Sequence, residues 1–148
     1  MARWAPQRRF DRLDERGVVE FESNLTAIVE ACARRSRRVV LCTMPRSFGG
    51  DAAGADQHTL AGTALANNPS LSLVGLNDAY DRYNEAIRRT ARRSGASLVD
   101  LAASIPRGEA FFVDATHLND AGHARVAQLI GEQLSKPSEN DTLVGATR

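Results

Sequence analysis

Phe112-Val-Asp114-Ala-Thr-His117-Leu-Asn119-Asp120-Ala-Gly122-His123-Ala-Arg-Val126-Ala127 joins an apolar run to a helix with a clear start, and the rest of the chain is placed from it. Asn119 or Asp120 offers a side-chain oxygen to the free N–H groups of a first helical turn. Val126, Ala127, Ile130 and Leu134 then recur at helical spacing, which predicts a helix over about 121–134 with those residues facing inward. Just upstream, Ala110-Phe-Phe-Val113 is strand-like. Asp114 and His117 therefore fall in a loop that opens a helix, where open α/β sheets build their sites.

Upstream of this block, Ser97–Asp100 is a short buried strand, and Leu101–Ser104 is one helical turn before Pro106. Before them, a helix over about Leu76–Ser94 aligns Leu76, Tyr80, Tyr83, Ile87 and Ala91 on one core-facing side, with Gly95 as its stop. Val39-Val-Leu-Cys-Thr-Met44 is continuously apolar and β-rich, the habit of a strand covered on both faces in a parallel sheet, and Pro45 ends it. The stretch from about Arg46 to Leu73 is rich in Gly, Ala, Asn and Asp and is expected to be irregular, bordering a substrate cleft. Val18–Arg35 is an amphipathic helix with Val18, Phe21, Leu25, Ile28, Val29 and Cys32 at helical spacing. Residues 1–17 form a polar lead-in, 18–135 the domain, and 136–148 a Pro/Ser/Asn-rich flexible tail. Helix, strand, loop, helix, strand is the rhythm of an α/β protein with a parallel sheet.

Composition bounds the partners. A net charge of +1 gives no field drawing the chain to nucleic acid or an anionic membrane. The arginine clusters, Arg34-Arg35-x-Arg37-Arg38 and Arg88-Arg89-x-x-Arg92-Arg93, sit at expected helix ends, where cations meet the negative end of the dipole. That explanation is preferred to a nucleic-acid surface. No apolar run reaches transmembrane or signal-peptide length, so a cytoplasmic location is expected. Cys32 and Cys42 lack metal or redox spacing and are expected to be buried free thiols.

Asp114-x-x-His117 is the pair with chemistry in it. A general base needs an imidazole with one nitrogen facing substrate and the other held by an acceptor. A carboxylate three residues upstream in a tight turn can reach Nδ1–H, fix the tautomer and stabilise the imidazolium. On spacing alone the alternative stays open that Asp114 shapes a turn and His117 merely lies on the surface. His123, on the following helix, is read as solvent-facing. His58, near Asp51 and Asp56, lacks a convincing ligand set, so no metal site and no cofactor are expected.

The block from Phe112 to Ala127 resembles the last motif of SGNH (GDSL-type) ester hydrolases, in which Asp-x-x-His precedes a helix opening with an Asn/Asp-x-Gly stretch. Tyr83-Asn-Glu-Ala-Ile-Arg88 and Gly95-Ala-Ser-Leu-Val-Asp-Leu101 resemble that family's penultimate helix and strand. Phe21-x-x-Asn24-Leu25 and Val39–Pro45 resemble the helix and strand before those. The resemblance implies a three-layer α/β/α sandwich of flavodoxin-like type with its N-terminal strands missing. It also implies an ester substrate, an acyl lipid or an acetylated sugar, with His117 as general base and Asp114 orienting it.

The family's nucleophilic serine lies in a Gly-Asp-Ser motif, and this sequence contains none: Gly50-Asp51 is followed by Ala52. The oxyanion residues of such enzymes also precede the matched region, and Asn77-Asp78 comes too late in the order to take that role. The resemblance thus implies a truncated product, a gene fragment or a start assigned too late, inactive alone. It further implies an apolar strand edge at Val39–Met44 open to another chain, hence an oligomer or an interaction protein as the alternative reading.

Overall fold

The computed structural model describes residues 9–50 and 56–137. Its elements run α1 (Glu15–Ala33), β1 (Val40–Cys42), α2 (Gln57–Leu60), α3 (Gly62–Asn67), α4 (Leu73–Ser94), β2 (Ser97–Val99), α5 (Leu101–Ser104) and α6 (Asp120–Ser135). β1 and β2 pair in parallel, with Leu41 opposite Leu98. The fold is α/β with a parallel sheet, as expected.

Local chemistry sets the boundaries. The side chains of Asp14, Ser72 and Asn119 accept backbone N–H groups at the starts of α1, α4 and α6. Gly95 ends α4 at φ 72°, a left-handed conformation that costs glycine nothing. α4 lies against both strands, and α1 packs on its outer side, with Phe21 edge-on to Tyr83 at a ring separation of 4.7 Å. On the other face, Val126, Leu129 and Ile130 of α6 pack with Val40, Cys42, Val99, Leu101, Ile105 and Phe112. The result is three layers. A second core joins Phe48, Leu60, Ala61, Ala64, Leu76 and Ala115 near the C-terminal ends of the strands. Each large side chain buried in it contributes about 1.5–3 kcal/mol.

Several expectations need correcting. The 46–73 stretch is not wholly irregular: α2 and α3 lie within it, and Leu60, Ala61 and Ala64 bury themselves against Phe48. Phe112 forms a lone antiparallel bridge to Leu118 rather than a strand. Within α1 and α6 the apolar stripes are narrower than the spacing implied, since Ile28, Cys32, Ala127 and Leu134 face solvent. The cysteines are free but not buried, Cys32 being exposed and Cys42 intermediate. Arg38 serves a different helix from the one expected, donating to the carbonyls of Gln133, Leu134 and Lys136 at the end of α6. Arg89 and Arg93 pair with Glu22, Arg92 with Glu85, and Arg88 with Asp100. The lead-in is docked from Phe10 onward, exchanging backbone hydrogen bonds with Ser70 and Ser72, whereas residues 1–8 and the tail beyond Pro137 lie outside the described residues.

β1 was expected to be covered on both faces, yet all three of its residues are only half-buried. The sheet's topology accounts for this. Ser97 N–H donates to Val39 O and Thr43 N–H to Val99 O, which sets the phase of the parallel ladder. The backbone groups of Val40 and Cys42 therefore turn toward the other edge, where no strand lies among the described residues. Asn84, 2% exposed, closes the upper end of that edge. Its Nδ2 donates to Met44 O at 2.9 Å and its Oδ1 accepts Met44 N–H at 2.7 Å, two bonds a neighbouring strand would otherwise make. No helix among the described residues is long and apolar enough to cross a membrane.

Candidate active site

The structure brings Asp114 and His117 together. Asp114 Oδ2 lies 2.8 Å from His117 Nδ1, and its Oδ1 accepts the N–H groups of Thr116 at 2.9 Å and His117 at 2.8 Å. The carboxylate thus folds its own turn and grips the ring that follows. Backbone donation from His117 and Thr116, then the imidazole contact, pull the Asp114 pKa down from 3.8 to about 2. His117 Nε2 has no partner among the described residues, on a side chain 77% exposed.

Two further contacts fasten the turn. Val113 N–H donates to His117 O at 2.8 Å, and Asn119 N–H to Phe111 O at 3.1 Å. Asn119 also reaches both ways: Oδ1 accepts Gly122 N–H at the start of α6, while Nδ2 donates to the carbonyls of Glu109 and Ala110. Gly122 is needed because a Cβ there would stand 2.3 Å from Phe111 O. The sequence foresaw the cap and left open which residue supplies it. It did not foresee that one amide also ties down the preceding loop.

Near Asp114 lies a polar–aromatic support with little trace in the sequence. Arg46, buried, stacks over Phe48 and Tyr80 at 5.5 and 5.3 Å from the ring centres and pairs with Asp81 at 2.9 Å. Tyr80 has its hydroxyl pKa raised by burial, with Arg46 opposing and the nearby Asp114 charge adding to the rise. A cavity of about 170 Å³ opens beside Asp114, lined by Ser47, Thr59, Leu60, Thr63 and Phe112 among others. A larger one, about 600 Å³, is lined by Arg38, Val39, Gly95 and Ser97 at the N-terminal ends of the strands, the wrong end of the sheet for chemistry at His117.

Elsewhere the weighed residues stay apart from the site's chemistry. His123 is exposed on α6. Asp56 accepts the N–H of His58 as the cap of α2, and Asp51 lies outside the described residues. No group of three or more His, Cys, Asp or Glu suited to a metal occurs among the described residues.

The model of the GDSL-like lipase/acylhydrolase family matches residues 3–125. The chain belongs to that family. The match begins well upstream of Val18, where the sequence resemblance began, and takes in the dyad and the start of α6. No curated protein sequence matches this acylhydrolase-family chain. Among solved structures it is similar to the acetylxylan esterase Axe2 of Geobacillus stearothermophilus, with TM-score 0.57 and 16% identity over 81% of this chain and 48% of that one. An Axe2 mutant described as an acetyl-xylooligosaccharide esterase gives TM-score 0.58 at 16% identity with the same coverage. LAE5, an α/β hydrolase enzyme from the metagenome of Lake Arreo, Spain, gives 0.57 at 20%, covering 78% of this chain and 46% of that one. The chain thus shares their fold and spans about half their length.

Proposed function

We propose that this chain carries the general-base half of an ester hydrolase, with His117 as the base and Asp114 as the residue that aims it. The observation that supports this most directly is the 2.8 Å contact from Asp114 Oδ2 to His117 Nδ1, which leaves Nε2 turned to solvent. With Nδ1 protonated and bonded, Nε2 keeps its lone pair for a proton. Paired with a serine hydroxyl, His117 would take its proton as the oxygen attacks an ester carbonyl. It would then return that proton to the departing alcohol, leaving an acyl-serine for water to hydrolyse. An acetyl ester on a sugar is the substrate class we favour, by analogy with what the acetylxylan esterase acts on.

The sequence holds no Gly-Asp-Ser, so the chain alone should turn over no ester. Aryl acetate hydrolysis is the direct test, run on the chain and on His117→Ala. Rates equal to the buffer background in both are expected. Turnover abolished by the substitution would overturn the claim of inactivity. The role of His117 is tested separately by nitrogen NMR of the ring. A neutral imidazole found mainly as the Nε2–H tautomer would sink it, because that nitrogen could accept no proton.

The open side of β1 favours a second reading, a non-catalytic interaction protein that pairs through Val40 and Cys42. It requires a dimer or hetero-complex in size-exclusion chromatography. A monomer at every concentration would remove it.

A further inference from the structure

The turn that holds the dyad rests on α2 and α3 and on the chain just beyond β1, and Ala115 is where they meet. Ala115 is fully buried, and both of its backbone groups are engaged. Its carbonyl accepts Ser47 N–H at 3.0 Å, and its N–H points at Thr63 Oγ1 at 3.4 Å. Ser47, 1% exposed, does more than this. Its carbonyl accepts Gly108 N–H at 2.9 Å, and its hydroxyl donates to Leu60 O at 3.3 Å. One buried serine thus ties both ends of the 108–115 loop to the sheet, and α2 to both. Thr63 holds the same loop from α3.

We propose that Ser47 and Thr63 are positioning residues: they clamp Ala115 from two sides and so hold Asp114 at the distance and angle that grip His117. The inference rests on the function proposed above. Asp114 supplies its own local bonds to Thr116 and His117, and those bonds hold only while the backbone between Asp114 and His117 keeps its shape. Ala115 belongs to that backbone, so freeing it loosens the carboxylate from Nδ1 and shifts the tautomer. Ala115 is the neighbour with no freedom.

The test uses the full chain, isotope-labelled, with two readouts. One is the ratio of Nδ1–H to Nε2–H tautomer of neutral His117; the other is amide exchange at Ala115, compared with Ile87 in the core of α4. Thr63 is exposed, so Thr63→Val should fold normally while removing the acceptor, and Thr63→Ser should restore it. Ser47 holds Ala115 and Gly108 through its backbone, which Ser47→Ala keeps, so that variant loses only the hydroxyl bond to Leu60 and serves as a control, and the Thr63 pair decides. Losing one hydrogen bond of ordinary net worth should speed Ala115 exchange about fivefold. The tautomer ratio should fall about two- to fivefold with it, with Ile87 unchanged and Thr63→Ser close to the parent. An unchanged ratio in Thr63→Val, with Asp114→Asn shifting it, overturns the clamp and spares the dyad. Asp114→Asn leaving the ratio unchanged would overturn both. Faster exchange at Ala115 and Ile87 alike would mark general loosening and also count against the clamp.

Discussion

Asp114→Asn keeps the side chain's shape and one oxygen for the N–H groups of Thr116 and His117, removes the charge, and puts an amide NH2 opposite Nδ1 in place of the accepting Oδ2. The parent carboxylate has its pKa lowered from 3.8 to about 2, chiefly by those backbone donors. Each tenfold change in proton affinity is worth about 1.4 kcal/mol, so the fall sets a ceiling of ~2.5 kcal/mol on what the charge adds to stability. The side chain is 27% exposed and next to solvent, so screening should reduce this to about 1 kcal/mol. Because the folded value lies below the unfolded one, the contribution is complete above about pH 4 and disappears as the pH falls through about 2. Urea unfolding of parent and Asp114→Asn should therefore show a gap of about 1 kcal/mol near pH 6 that closes by about pH 2. A gap that persists unchanged at the acid end would mean the charge is not what the turn holds. No gap at any pH would mean the charge and the imidazole contact of this carboxylate contribute nothing net.

Gly122→Ala drives a methyl to 2.3 Å from Phe111 O and against Leu118, so α6 must shift, at a cost of about 1–3 kcal/mol in thermal or urea unfolding. Gly131→Ala, on the same helix with open space around it, is the control and should stabilise by about 0.5–1 kcal/mol; a loss there would show that α6 is not packed as described. Asn84→Ala strips Met44 of two hydrogen bonds from a buried amide and should destabilise by about 1–3 kcal/mol. A change within 0.5 kcal/mol, roughly the scatter of surface substitutions, would show that water replaces the amide at the sheet edge.

The long helices and both strands were legible because their signals are local. The helical spacing of Leu76, Ile87 and Ala91, the stop at Gly95 and the β-rich run at Val39–Met44 each depend on a few neighbouring residues. The contact between Asp114 and His117 was legible for the same reason: a spacing of three in a tight turn leaves the carboxylate little else to bond. What escaped is set by distant partners. α2 and α3 are too short to show a period, and they are held by distant partners, Leu60, Ala61 and Ala64 packing with Phe48 and Ala115. Arg46 carries no sign in the sequence that it will be buried against the edge-on pair of Phe48 and Tyr80. Ile28 and Cys32 keep helical spacing yet face solvent, because α4 covers only part of the side they share with Val18 and Val29. Periodicity reports a candidate face, and its width is decided by what packs there.

The same division between local and distant bonds bears on the chemistry. Every bond that orients His117 comes from within the turn or from segments that meet it: Asp114 itself, the backbone of Val113, the Asn119 cap and the seat of Ala115. None of them passes through the unpaired side of β1. A two-stranded sheet with one open edge can therefore hold this imidazole in place, since the holding is done at the α6 side and by α2–α3. The attacking hydroxyl is a different matter. Among the described residues nothing bonds to Nε2, so under the function proposed above a hydroxyl for His117 to activate would have to be brought to it by a longer-range arrangement. On that proposal, orientation of the base and delivery of the nucleophile are separable in this fold. Ring-tautomer measurements on this chain report the first without requiring the second.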